Sequence, residues 1–224
     1  GANFEFLEEE KLLEKTAEDL SNGEAIGWFQ GRMEFGPRAL GARSILGDPR
    51  SPSMQKNLNL KVKYRESFRP FAPSVLREDV FEWFNINEDS PYMLFVAGIK
   101  NDKIIKMNEE EKKLFGIEKL NIKRSNIPAV THVDYSARIQ TVHKETNSKY
   151  YNLINKFKKK TGCPVLVNTS FNVRGEPIVN TPEDAFNCFM GTDLDKLVIG
   201  NYYLEKRKQS KNLVKNYKDK FQSD

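Results

Sequence analysis

The chain has 224 residues, carries 36 Lys and Arg against 31 Asp and Glu for a formal net charge of +5, and is 38% hydrophobic and 11% aromatic. That is enough apolar material for a real core and excludes a disordered polyelectrolyte; the length fits one domain, or a large domain with extensions. No apolar run approaches the ~18 residues of a membrane span and no secretory signal pattern opens the chain, so a cytoplasmic setting is expected.

Residues 4–22 predict an amphipathic helix, with Leu12, Leu13, Ala17 and Leu20 at helical spacing and Gly23 as C-cap. Residues 25–31 predict a short buried strand, 31–44 a glycine-rich loop, and 51–62 open with helix-start chemistry. A strand at 72–76, one or two helical turns at 77–84 and a central strand at 92–99 follow. Residues 100–126 are rich in charge and poor in apolar periodicity, which predicts an inserted, mobile excursion with a short helix. Residues 128–133 and 137–142 predict two strands around a turn at Asp134-Tyr135, and 147–161 a basic amphipathic helix built on Tyr151, Ile154 and Phe157. A strand and polar loop at 163–172 precede a helix at 181–191, which has a Thr N-cap and a first-turn Pro; residues 195–206 predict a last strand. Strands and helices interleave, so the expected class is α/β or α+β with a mixed sheet.

Cys163 and Cys188 lie far apart, outside any CxxC pair and without clustered histidines. They predict two reduced, buried thiols, and no metal site is expected. From Lys206 onward the chain is basic but has few aromatic residues to stack bases on. That predicts a solvated extension and argues against nucleic acid as a partner.

Four segments carry candidate chemistry. In GRMEFGPRALGARS (31–44), Arg32, Arg38 and Arg43 stand among three glycines. Glycine lets backbone approach a ligand, and arginine donates in a fork that matches phosphate. A tight turn with surface arginines fits the same composition, and without a G-K-[ST] ending the segment is no P-loop. KYRESFRPFAP (63–73) brings Lys63, Arg65 and Arg69 close together, and Glu66 cannot neutralise all three. Pro70 and Pro73 bar a continuous helix there. VNTSFNVRGEP (167–177) sets Asn168, Ser170 and Asn172 at alternate positions, side by side if extended, or simply capping turns. THVDYSARIQTV (131–142) offers His132, Asp134 and Arg138. Together these supply cationic forks and neutral amides without a nucleophile or metal cluster, an inventory suited to polyphosphate binding and charge stabilisation.

QGRMEFGPRALGARSILGDPR, VKYRESFRPFAPSV, THVDYSARIQTV and CPVLVNTSFNVRGEPIVNTPEDAFNCF resemble the C-terminal region of the O-carbamoyltransferases of nodulation-factor and antibiotic tailoring. The likeness runs from about residue 23 to about 206 and skips the charged insertion. It implies a YrdC-like domain, a twisted mixed sheet with flanking helices around a basic cavity. It also implies that ATP and carbamoyl phosphate give carbamoyl-adenylate and pyrophosphate, with Mg²⁺ arriving on ATP. Lys63-Tyr64-Arg65 and Ser170-Phe171-Asn172 then correspond to a Lys-x-Arg and Ser-x-Asn signature. Arg38, Arg69, Arg138 and Asn168 fall on positions facing the carbamoyl phosphate and nucleotide. Lys63, Arg69 and Arg138 take the charge-stabilising, catalytic role. Tyr135 departs from the pattern, standing where such proteins usually have glycine.

By this resemblance residues 1–22 form a linker helix, 23–206 the domain with its insertion at 100–126, and 207–224 a basic tail. The family's N-terminal Kae1-like domain, expected to hold iron and the acceptor site, is missing. The expected partners are therefore ATP, carbamoyl phosphate and that domain, with no membrane, and the chain is expected to perform the first half-reaction at most. Two rivals stay open: an RNA- or nucleotide-binding module without catalysis, and a silent interaction domain.

Overall fold

The computed structural model describes residues 1–214 and Tyr217. Ten strands form, in chain order β1 (Glu5–Phe6), β2 (Ile26–Phe29), β3 (Arg43–Gly47), β4 (Ala72–Leu76), β5 (Val96–Gly98), β6 (Ser136–Arg138), β7 (Gln140–Val142), β8 (Val165–Ser170), β9 (Lys196–Ile199) and β10 (Tyr202–Glu205). Eight of them make one mixed sheet in the order β1-β10-β9-β2-β3-β8-β4-β7, with only β2/β9 and β4/β7 parallel. The central strands β2, β3 and β4 are buried along their whole length. Both faces are therefore covered, which is why these segments read as continuous rather than alternating apolar runs. The expected mixed α/β sheet with flanking helices is present.

The three longest helices are α1 (Glu9–Ser21), α2 (Ser148–Thr161) and α3 (Pro182–Gly191). Helix α1 buries Leu12, Leu13, Thr16, Ala17 and Leu20 and packs on α2, so the segment expected as a linker contributes to the core. Residues 4–8, expected inside that helix, lie outside it, and Glu5 and Phe6 pair with Tyr203 and Tyr202. Helix α2 is capped by Asn147 at one end and by the left-handed Gly162 at the other. Its buried stripe is Tyr150, Leu153, Ile154 and Phe157, so Tyr150 rather than Tyr151 faces the core. Helix α3 opens on the expected Thr181 cap, completed as a capping box by Asp184. Both cysteines are buried and free. Burial pushes the Cys163 thiol up to about 12. No helix among the described residues is long and apolar enough to cross a membrane.

Three local expectations are corrected. The apolar run at 92–99 is no central strand: only Val96–Gly98 is extended, paired with β6 in a separate two-stranded sheet. Pro91 precedes it, Met93 takes a positive φ of 56°, and Tyr92, Leu94 and Val96 stay exposed. Residues 128–130 form a 3-10 turn begun by Pro128 instead of a strand. The last strand is a hairpin of β9 and β10 turning at Gly200-Asn201, a dipeptide that signals such a turn. Strand β3 begins at Arg43, at the end of the segment read as a glycine-rich loop, and runs to Gly47 through residues given no element. The insertion carries two short helices, Glu109–Lys113 and Gly116–Leu120, and is tied at its base. There Ile105 donates to the Arg124 carbonyl, Asn126 to that of Lys103, and Ser125 is fully buried. The basic tail expected at 207–224 lies outside the described residues at 215, 216 and 218–224.

The loop between β2 and β3 is held tightly. Glu34 Oε1 accepts from the Leu40 and Ala42 amides at 2.7 Å each, and Trp28 Nε1 donates to the Gly41 carbonyl at 2.9 Å. Gly41 has φ of 106°, and a Cβ there would stand 2.3 Å from the Tyr150 ring. Strain and overlap each cost about 1–3 kcal/mol. Gly41→Ala is therefore expected to lose roughly 2–5 kcal/mol in urea denaturation; an unchanged midpoint would mean that the loop does not rest on Tyr150.

Candidate functional site

A cleft opens where the β2–β3 loop, the segment leading into β4, the β5/β6 ribbon and the end of β8 converge. It has an outer compartment of about 520 Å³ and an inner one of about 150 Å³. Both are lined by Arg38, Arg65, Pro70, Phe71, Ala72 and Arg138. Arg69, His132, Asp134 and Ser136 complete the outer wall, while Met93, Asn168, Thr169 and Ser170 line the inner one. Segments up to about a hundred residues apart thus bring four guanidinium groups to one cavity.

The physical chemistry of the cluster is unbalanced. Among the described residues, arginine ion pairs are made by Arg50, Arg77, Arg174 and Arg207, not by the four in the cleft. Burial, together with the neighbouring Arg69, pushes the Arg65 guanidinium down to about 10. Burial and Arg38 likewise lower Arg138, whose Nε is buried without a hydrogen-bond partner. Arg65 is fixed by donating from Nε to Asn59 Oδ1 at 2.6 Å and by stacking over Phe71 at 4.9 Å. Among the described residues, Asp134 is the one carboxylate on the walls. Its Oδ1 accepts from the Ser136 amide at 3.0 Å and hydroxyl at 2.6 Å, and it pairs with His132 at 3.4 Å. Like charges held together at partial burial raise the energy of the free protein and favour an anion.

The sequence candidates divide in two. Arg38, Arg65, Arg69, Arg138, Asn168 and Ser170 stand on the walls. Lys63 and Asn172 do not. Lys63 is only 4% exposed, and its Nζ donates to the Ser170 carbonyl, to the Asn172 carbonyl at 2.8 Å and to Asn172 Oδ1 at 2.8 Å. Burial first, and Arg65 second, lower its ammonium to about 7. Asn172 Nδ2 closes its own loop by donating to the Glu176 carbonyl at 2.6 Å. The Lys-x-Arg segment thus splits: Lys63 ties the wall together from behind and Arg65 faces the cavity. Arg43 is buried over Phe29 and donates to the Gln30 and Gly31 carbonyls, away from the cleft. Arg32 lines a separate hollow with Glu34 and His143.

Backbone strain marks the same place. The positive-φ residues other than glycine are Tyr64 (49°), Met93 (56°) and Tyr135 (62°). Tyr64 sits between Lys63 and Arg65, Met93 lines the inner compartment, and Tyr135 sits in the turn that carries His132 and Asp134. Such residues cost about 1–3 kcal/mol each and persist where surroundings over-determine them. A wide i→i+5 helical segment, Leu58–Val62, runs directly into Lys63, another feature frequent at functional sites. Tyr135 thus keeps the left-handed turn that glycine would adopt without strain.

Gln140 and Ser74 escaped the sequence reading. Both are buried at paired positions of β7 and β4. Gln140 Nε2 donates to the Leu40 carbonyl at 2.8 Å, and its Oε1 accepts from Ser74 Oγ at 2.5 Å and Asn168 Nδ2 at 2.8 Å. The available signal is a polar amide between Ile139 and the run that leads to Val142.

Residues 17–206 match the family described as carbamoyltransferase C-terminus. Over 93% of its length the chain is 60% identical to 34% of an uncharacterized protein of Synechocystis sp.. It is 44% identical, over 94% of its length, to 28% of the nodulation protein NolNO of Sinorhizobium fredii. It is 33% identical, over 84% of its length, to 32% of a 3'-hydroxymethylcephem-O-carbamoyltransferase of Amycolatopsis lactamdurans. The chain spans about a third of the length of the curated relatives it matches. A solved structure of full-length HypF in its phosphate- and nucleotide-bound form covers 93% of the chain and 23% of its own at a TM-score of 0.49 and 15% identity, a likeness too slight to carry an argument.

Proposed function

The chain belongs to the carbamoyltransferase C-terminus family, and from that premise we propose that its arginine cleft binds ATP and carbamoyl phosphate and forms carbamoyl-adenylate. The observation that carries this reading is the set of four guanidinium groups on one cavity, none in an ion pair among the described residues. Arg38, Arg65, Arg69 and Arg138 hold phosphate oxygens in bidentate fashion and offset the charge that develops in transfer. Asn168 and Ser170 orient the carbamoyl group and the nucleotide. Lys63 and Asn172 act through the wall, fixing Ser170 from behind.

The atoms balance in two steps. Water splits carbamoyl phosphate to carbamate and phosphate. A carbamate oxygen then attacks the α-phosphorus of ATP, forming the new P–O bond as pyrophosphate leaves. The enzyme's part is positioning and electrostatics, which dominate phosphoryl and nucleotidyl transfer. Asp134, already bonded to Ser136 and His132, is a poor start for a dedicated metal site, so Mg²⁺ travels on ATP with few protein ligands. Among the described residues no group of three or more His, Cys, Asp or Glu could hold a metal, so the residues present do not fit the family's iron. Transfer to a hydroxyl acceptor is assigned to the further two thirds that the longer relatives carry.

Isothermal calorimetry with ATP and carbamoyl phosphate, separately and together, tests the reading. Binding of each, tighter in the presence of the other, is the expected result. Affinity for RNA with a steep salt dependence and none for ATP would overturn it in favour of a nucleic-acid module.

A further inference from the structure

We propose that Gln140 is a positioning residue that sets the cleft's selectivity for an acyl phosphate bearing an NH₂ group. The inference rests on the reading that the cleft takes carbamoyl phosphate, and asks what distinguishes that compound from its methyl analogue.

The argument follows a chain of amides. The Leu40 carbonyl can only accept, so Gln140 must present Nε2 to it, at 2.8 Å. That turns Gln140 Oε1 toward Ser74 and Asn168. Asn168, 1% exposed, then faces two acceptors, Gln140 Oε1 at 2.8 Å and the Ala39 carbonyl at 3.0 Å. Only its NH₂ satisfies both; the flipped amide would set oxygen against two oxygens. Asn168 Oδ1 is thereby left over, and it is buried without a hydrogen-bond partner. A stranded acceptor is costly, and one on a residue that lines the inner compartment becomes useful when a ligand brings a donor. The carbamoyl NH₂ is such a donor; an acetyl methyl is not. The Ala39 carbonyl directly, and the Leu40 carbonyl through Gln140, thus dictate which end of the Asn168 amide the ligand meets. The rejection is strong in kind, because a methyl leaves the buried oxygen unpaired.

The test uses two hydrolysis-resistant probes, phosphonoacetamide and acetonylphosphonate, which differ in NH₂ against CH₃. Calorimetry on the wild-type chain is expected to give a preference of about 5–100-fold for the amide, the span for one buried acceptor satisfied against left unsatisfied. Gln140→Met keeps the volume and removes one of the two acceptors that hold the Asn168 NH₂, leaving the Ala39 carbonyl alone against a flip, so the preference is expected to fall. Ser74→Ala removes another donor to Oε1 but leaves the relay, and is expected to keep the full preference. A merely structural role for Gln140 would weaken both probes alike and leave their ratio unmoved, which would overturn the proposal. If Gln140→Met does not fold, Asn168→Ala decides: retained preference there also overturns it. Binding of ATP and pyrophosphate with equal affinity for the two probes sinks this inference while sparing the anion cleft. Failure to bind any of the four sinks both.

Discussion

Lys63→Ala is expected to lower the stability of the chain by about 2–4 kcal/mol and to weaken ligand binding only as a consequence. The magnitude follows from opposing contributions. Removing the ammonium strands the Asn172 carbonyl, at roughly 1–3 kcal/mol for a buried acceptor, and takes one donor from the Ser170 carbonyl and the Asn172 side-chain oxygen, which keep the Asn172 amide and the Ser170 hydroxyl. Against that stands relief from holding a charge at 4% exposure beside Arg65. One stranded carbonyl and two lost hydrogen bonds outweigh the relieved charge. The pH dependence has a definite sign. With a folded value of about 7 against an ordinary 10.5, the unfolded chain binds the extra proton between those limits. Stability therefore rises with pH across that window relative to a Lys63→Met chain, which has no such group. Urea denaturation of both chains from pH 6 to 10 reads it: a difference that stays flat, or a Lys63→Ala midpoint equal to wild type, would show that Lys63 is not the tie behind the wall. Arg69→Ala, at an exposed edge of the cleft, is the contrasting case, with binding weakened and the midpoint kept.

That contrast bears on what the sequence could disclose. The identity of the cleft was legible because arginine on the segments that form it is hard to bury without a ligand or a partner acid. Arg38, Arg65, Arg69 and Arg138 therefore stood out, and the fold brings all four to one cavity. The role of Lys63 was not legible. Residues two apart share a face in extended chain, but the wide helical segment before Lys63 and the positive φ of Tyr64 turn it and Arg65 apart. Neither feature has a signature in one sequence. Gln140 was invisible for a related reason: a buried amide matters through the partners it meets, and its partners Leu40, Ser74 and Asn168 come from three distant segments.

The secondary structure shows the same division. Helices α2 and α3 were readable because their caps and apolar stripes are local. Strand β3 was not, since its pairing with β2 and β8 is what makes Arg43–Gly47 extended. The run at 92–99 misled in the opposite direction. It has the composition of a central strand, yet its apolar side chains at Tyr92, Leu94 and Val96 remain exposed, and only Val96 belongs to the ribbon beside the cleft.

The largest functional effect is expected at Arg138. This chain is expected to exchange labelled pyrophosphate into ATP only when carbamoyl phosphate is present, since the carbamate that attacks ATP comes from it. Arg138→Ala should slow that exchange by about 10–150-fold, the equivalent of roughly 1.5–3 kcal/mol for one charge-assisted hydrogen bond. Arg138 is favoured over Arg69 for the stronger effect because it is partly buried, and a desolvated guanidinium acts on a phosphate through a lower effective dielectric. Its Nε, buried and unpartnered, has no competing bond to give up on binding. Arg38 and Arg138 repel each other in the free protein. Removing one relieves the other, so Arg38→Ala combined with Arg138→Ala is expected to cost less than the product of the single losses. Hydroxyl acceptors should remain uncarbamoylated until the remaining two thirds of a longer relative is supplied. Exchange at wild-type rate in Arg138→Ala would remove that side chain from the reaction, and acceptor carbamoylation by this chain alone would refute the division of the two half-reactions between domains.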